Sequence, residues 1–167
     1  MTRLRAGSTA VLTACSLAAC GAAQASTATL PSRLVPAAYN GFTVEEETAV
    51  RPQFTVPDGV VSEGRFFTLR RSGDVEATLE VALLKADVDG TDPDNQQSIR
   101  KQVGGGDFTY YLIGDQWVGV QSTADDTIAV WFPRAREDVF DVLTVARDIT
   151  RPIDVVAGLI RYQEEKG

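Results

Sequence analysis

The stretch Val75-Glu76-Ala77-Thr78-Leu79-Glu80-Val81-Ala82-Leu83-Leu84-Lys85 decides the fold class. Val75, Ala77, Leu79, Val81 and Leu83 recur at every second position, with Glu76, Thr78 and Glu80 between them. Alternation of this kind belongs to a strand with one buried face. Just upstream, Arg65 to Arg71 alternates more loosely, with Phe67 and Leu69 on one side and Phe66 and Thr68 on the other. Ser72-Gly73-Asp74 lies between the two runs and supplies turn residues, so the pair reads as a β-hairpin.

Working outward, Phe42 to Val44 and Gln53 to Val56 are expected to be short strands, and Pro57-Asp58-Gly59 a turn. After the hairpin comes an acidic loop, Asp87 to Asn95. Asp94 is expected to cap a helix running through Val103 and stopped by Gly104-Gly105-Gly106. Phe108 to Ile113, Trp117 to Ser122 and Thr127 to Phe132 read as consecutive strands, with Gly114-Asp115 and Ala124-Asp125-Asp126 as turns and Pro133 as the stop. Asp138 to Ile149 is expected to be an amphipathic helix with Val139, Val142, Leu143, Ala146 and Ile149 on one stripe. Thr150-Arg151-Pro152 breaks it and opens a short last helix on Ile153, Val156, Leu159 and Ile160, which ends in a solvated Gln163 to Lys166. No internal repeat is visible. Together these elements predict an α+β fold, a single antiparallel sheet of about five to six strands with two or three helices packed on it. The order of elements resembles the PsbP/Mog1-type sheet-and-helix fold, through Phe54-Thr55-Val56-Pro57-Asp58-Gly59 and the expected strand-to-helix passage Ile128 to Ile149. Val60 stands where that family has an aromatic. The resemblance implies a fold and carries no functional residue across.

The N-terminus reads as an address. Arg3 and Arg5 form a positive start, and Ala6 to Ala19 is a run of small and apolar residues too short to span a bilayer comfortably. Leu17-Ala18-Ala19-Cys20-Gly21 resembles the lipobox of bacterial lipoproteins. That resemblance implies alkylation of the Cys20 thiol by a diacylglycerol, cleavage before Cys20, and a mature chain held on the extracytoplasmic side of a cell membrane, its palmitate-like acyl chains forming the anchor. Ala23-Gln24-Ala25 also fits a small-x-small cleavage site, which would release a soluble chain starting at Ser26. The expected organisation is a signal over 1–19, a flexible tether rich in Ala, Ser, Thr and Pro over 20–38, and one domain over 39–167.

Composition narrows the chemistry. The net charge of −7 repels phosphate backbones and anionic headgroups, so nucleic acid is not an expected partner. The chain contains no His, which excludes Ser-His-Asp, Cys-His and His-zinc chemistry. Its two Cys, Cys15 and Cys20, both lie in or beside the signal, so the domain uses no disulfide or thiol.

The candidate sites are few. Asp87, Asp89, Asp92 and Asp94 crowd one loop, and clustered carboxylates suit Ca²⁺. The EF-hand spacing fails, because Thr91, Asp92 and Ser98 fall where an acid, a Gly and a Glu belong. A solvated turn is the plainer reading, and no metal is expected. Gly104-Gly105-Gly106 lacks the Lys-Ser/Thr of a phosphate loop, so no cofactor is expected. Trp117 and Trp131, on neighbouring expected strands with Phe108, Tyr110, Tyr111 and Phe132 nearby, suggest either a stacking platform or cross-strand packing. Glu45-Glu46-Glu47 reads as a solvated face. No catalytic residue emerges. The expectation is a membrane-anchored lipoprotein whose non-catalytic domain binds a protein partner or helps organise the envelope. A lipid or small-ligand carrier, with a cavity between sheet and helices, is the alternative. A hydrolase working through carboxylates or Ser/Lys would need a cleft with convergent titratable groups.

Overall fold

The computed structural model describes residue 30 and residues 34–48, 59–134 and 136–166. The described strands are β1 (Ala38–Tyr39), β2 (Phe42–Glu47), β3 (Val61–Arg71), β4 (Asp74–Leu84), β5 (Thr109–Ile113), β6 (Gln116–Ser122), β7 (Asp126–Trp131) and β8 (Val139–Ala146). Helix α1 (Pro93–Gly104) follows β4, and α2 (Pro152–Lys166) follows β8. All eight strands form one sheet in the order β1-β2-β3-β4-β8-β7-β6-β5, with every neighbouring pair antiparallel. Two meanders therefore meet at β4 and β8 in the middle, and α1 carries the chain from the centre to the far edge.

The hairpin that the alternation predicts is the longest ribbon of the sheet. Arg71 pairs with Asp74, and Ser72 and Gly73 both have positive φ, 53° and 96°. Positive φ at both central residues is a type I′ turn, whose twist suits a two-residue hairpin. Asn40 and Gly41 close the β1–β2 hairpin the same way, at 45° and 81°.

The helices lie on opposite faces. On one face Ala77, Leu79, Val81, Leu83, Leu143 and Trp131 pack with Val155, Val156, Leu159 and Ile160 of α2. On the other, Ala82, Leu84, Val130, Phe140 and Val142 pack with Ile99 of α1. Leu30, Leu34 and Val35 join the α2-side core, so apolar packing begins ahead of Tyr39. Tyr39 donates its hydroxyl to the Asp154 carbonyl of α2 and lies directly on Gly158. A Cβ at 158 would sit 1.7 Å from that hydroxyl, so the bare backbone is what lets β1 close against the helix.

Several expectations require correction. Among the described residues there are eight strands in one sheet and two helices, a sheet-dominated fold, where five to six strands and two or three helices were expected. The main error is Asp138 to Ile149, which holds strand β8 and no helix. Its residues Val139-Phe140-Asp141-Val142-Leu143 are buried on both sides of the sheet, so the polar alternation that marks a strand is missing. An apolar run without alternation mimics a helical stripe, and its β-branched and aromatic content is what favours the strand. The passage compared with the PsbP/Mog1-type fold is accordingly strand to strand, and Phe54 to Asp58 lies outside the described residues. So does the expected strand Gln53 to Val56. Helix α1 is capped by Asp92, with Pro93 at its first position and Asp94 inside the first turn, where Asp94 was expected as the cap. Helix α2 runs from Pro152 to Lys166 and takes in the Gln163 to Lys166 end. Among the described residues no helix is long and apolar enough to cross a membrane.

Candidate functional site

The open end of the sheet is the most distinctive surface. Strand β5 lies at the edge, β6 behind it, and the register sets Leu112 beside Trp117 and Tyr110 beside Gly119. Tyr110, Tyr111, Leu112 and Trp117 are 44%, 47%, 57% and 58% exposed. Alternation sends Tyr110, Leu112 and Trp117 to the α1 face and Tyr111 to the α2 face.

On the α1 face the band rests on a buried cation. Arg100, 5% exposed, lies between two rings, its guanidinium carbon 5.3 Å from the Tyr110 centroid and 5.0 Å from that of Phe132. Gly119 makes room for it: a Cβ there would be 3.1 Å from the Arg100 Cδ. Arg100 Nη2 donates to Gln96 Oε1 at 3.4 Å, and no described carboxylate pairs with it, so ring faces take the place of a counter-ion. Burial lowers the guanidinium's pKa from its ordinary value, and Tyr110 partly opposes the shift.

On the α2 face lies an apolar hollow of about 290 Å³. Val120, Ala129 and Val145 floor it, Pro152, Ile153 and Val156 of α2 wall it, and Tyr111 stands at its outer side with Thr127 the other residue of the lining. A second hollow of about 230 Å³, on the α1 side, mixes charges from Asp115, Arg134 and Glu137 with Trp117 and Gln96.

Two carboxyls are driven toward neutrality by burial, Glu80 to about 7 and Asp141 to about 8. Both are fully covered. Gln163 of α2 and Arg136 favour the ionised form of Asp141, and burial outweighs them. Glu80 lies on the α1 face beside Gly64, whereas Asp141 lies on the α2 face opposite Trp131 and Val81. They point to opposite faces of the sheet and cannot act on one substrate atom as a carboxylate pair must.

The sequence candidates fall out as follows. Asp89 accepts from the Thr91 amide and hydroxyl at 2.8 and 2.7 Å, and those bonds hold its carboxyl below the usual range. Asp92 is the cap of α1, while Asp87 and Asp94 are exposed. Their carboxylates serve the loop, and among the described residues no group of three or more acids or thiols is placed to hold a metal. Gly105, at φ 67°, ends α1 with its N–H on the Lys101 carbonyl. Glu45 and Glu46 pair with Arg70 and Arg65 across β2 and β3. The two Trp do not form a platform. Val118 is the residue opposite Trp131, so Trp131 is buried on the α2 face and Trp117 is exposed on the α1 face. Arg100 and the hollow gave no signal in the sequence, because both depend on which strands become neighbours. Leu17 to Gly21, Cys20 included, lies outside the described residues.

No known protein family, curated protein or solved structure matches this chain.

Proposed function

We propose that the chain is a non-catalytic binding module on the extracytoplasmic face of a bacterial membrane, anchored through lipid on Cys20, and that it engages a protein partner at the open end of its sheet. Leu17-Ala18-Ala19-Cys20-Gly21 after a positively charged start supports the address. The binding reading rests on half-exposed Tyr110, Leu112 and Trp117 on the α1 face, with Tyr111 on the other face of the same edge strand. Contiguous exposed apolar side chains on adjoining strands mark interaction surfaces.

Two measurements test this. Full-length protein made in a bacterium should fractionate with membranes, with an intact mass that begins at Cys20 and includes acyl groups. Cys20→Ser should abolish that and Cys15→Ser should not, and a wild-type chain beginning at Ser26 refutes the anchor. In the anchored protein, a photoreactive side chain at position 117 should give a discrete cross-linked product in intact cells. The same group at position 45, on the β2 side of the sheet, should not. Equal yields at both positions refute the binding surface.

One observation favours a second reading, a carrier of a small apolar ligand: the hollow between α2 and β5–β7. A fluorescent acyl probe should then bind saturably, and Val120→Trp, which fills the hollow, should abolish binding. Undiminished binding by that variant removes this reading.

A further inference from the structure

Strand β5 ends the sheet, and alternate residues along it turn their N–H and C=O groups away from β6 with no neighbouring strand among the described residues. The opposite edge is different: β1 is two residues long and Tyr39 is tied to α2. Thr109-Tyr110-Tyr111-Leu112-Ile113 has no Lys, no Pro and no charge, and its pairing with β6 is free of bulges. Those are the devices that ordinarily blunt an edge, and this edge has none of them.

Charge indicates what could pair there. From Gln102 to Pro133 there is no Lys or Arg, and the acids are Asp107, Asp115, Asp125 and Asp126. Asp115 pairs with Arg134. The other three gather at one end, because Thr109 lies beside Val120 and Ser122 beside Thr127; Arg147 reaches the same turn with its N–H on the Asp125 carbonyl and is followed by Asp148, so acids still outnumber bases there. Arg100 does not offset them, being covered by the Tyr110 ring. A second copy of the chain brings no unpaired cation to these acids: antiparallel pairing of β5 with itself about Tyr111 sets Asp107 of each copy against Asp115 of the other, whose neighbour Arg134 is already paired. On the α2 side a residue beside Tyr111 would reach the hollow, and on the α1 side its neighbours would meet Tyr110, Leu112 and Trp117.

We infer that β5 accepts an extended peptide, apolar at alternate residues and basic where it lies beside Thr109, as a further strand of the sheet, an inference that rests on the binding reading above. Main-chain bonds would supply much of the affinity and the hollow and acids the selectivity.

The test uses detergent-solubilised full-length protein and short peptides that alternate valine with threonine, titrated calorimetrically. A lysine-ended peptide should bind, more weakly as salt rises. Its glutamate-ended counterpart should bind a few-fold more weakly per ion pair lost, and Asp107→Lys should shrink that preference. N-methylation of the backbone at one alternation should abolish binding, and at the other it should not. Leu112→Lys, an exposed site, should weaken binding roughly tenfold with no change in melting temperature, since a charge on an edge blocks pairing. The inference is overturned if no peptide binds, if both methylation patterns behave alike, or if Asp107→Lys leaves the preference unmoved. Self-association of the free protein that Leu112→Lys removes would overturn it too, assigning the edge to a second copy. Failure of the peptides with the cross-link at position 117 intact removes strand addition alone, whereas loss of both removes the binding surface as well.

Discussion

Asp141 should make this protein less stable as pH rises through the neutral range. Its side chain is fully covered on the α2 face, and burial lifts its pKa from 3.8 to about 8. The folded state therefore keeps a proton that the unfolded chain releases once the pH passes its ordinary value. The unfolded state binds fewer protons in that window, so unfolding free energy falls with pH, by up to about 1.4 kcal/mol per pH unit for one group. The loss begins near pH 4, continues until the folded pKa is reached, and amounts to several kcal/mol, a large part of the roughly 5–15 kcal/mol that holds a domain together. Glu80, lifted from 4.5 to about 7, adds a second contribution of the same sign over a narrower range. Asp89 has the opposite sign, being held low by Thr91, and its contribution is lost only as pH falls below the ordinary carboxylate range. Asp141→Asn keeps the shape of the protonated side chain and removes its titration. Urea unfolding followed by circular dichroism at pH 5, 6 and 7 should show a falling wild-type stability. The variant's slope should be about half as steep between those values, the remainder being Glu80, and its advantage should grow with pH and vanish near pH 4. Wild-type stability that is flat or rising from pH 5 to 7, or a variant with an unchanged slope, would refute the reasoning.

Gly158→Ala should destabilise the protein by about 1–3 kcal/mol, because the added methyl overlaps the Tyr39 ring and hydroxyl, although Ala is the better helix former by about 1 kcal/mol; Tyr39→Ala in the same chain should remove the clash, and thermal melts of the wild type, both single variants and the double variant check this. Asp92→Ala should cost about 1 kcal/mol through loss of the α1 cap at 2.9 Å from the Asp94 amide, and Asp94→Ala clearly less, by denaturant midpoints. Arg100→Met should stay within about 1 kcal/mol of wild type while Arg100→Ala loses more, since an apolar side chain of similar length fills the slot between Tyr110 and Phe132 without the penalty of burying a charge. A loss of more than about 3 kcal/mol in the Met variant would mean that the ring contacts outweigh that penalty.

The elements legible in the sequence are those whose signal is local. Strands β3 and β4 announce themselves because one face of β4 carries Glu76 and Thr78 against Ala77 and Leu79, and because Ser72-Gly73 can adopt positive φ. Strands β5 to β7 follow from short apolar runs between turn residues, and α2 from Pro152 ahead of a repeating apolar stripe. The non-local features were not legible. Strand β8 pairs with β4 and β7 and is buried on both faces, so it carries no alternation to read, and its buried carboxyl residue, Asp141, falls on the polar side of the helix expected there, which supports that misreading. The carboxyl's raised pKa exists only because two strands and α2 close over it. The faces of Trp117 and Trp131 depend on the register between β6 and β7, and a shift of one residue would exchange a buried ring for an exposed one. The candidate surface arises in the same way. Tyr110, Tyr111 and Leu112 would be core residues in a central strand, and they face solvent because α1 carries the chain past the middle of the sheet and leaves β5 last. Side-chain type and spacing set which segments are strands and helices, whereas strand order, set by long-range pairing and the burial it allows, settles which of their residues are left for a partner.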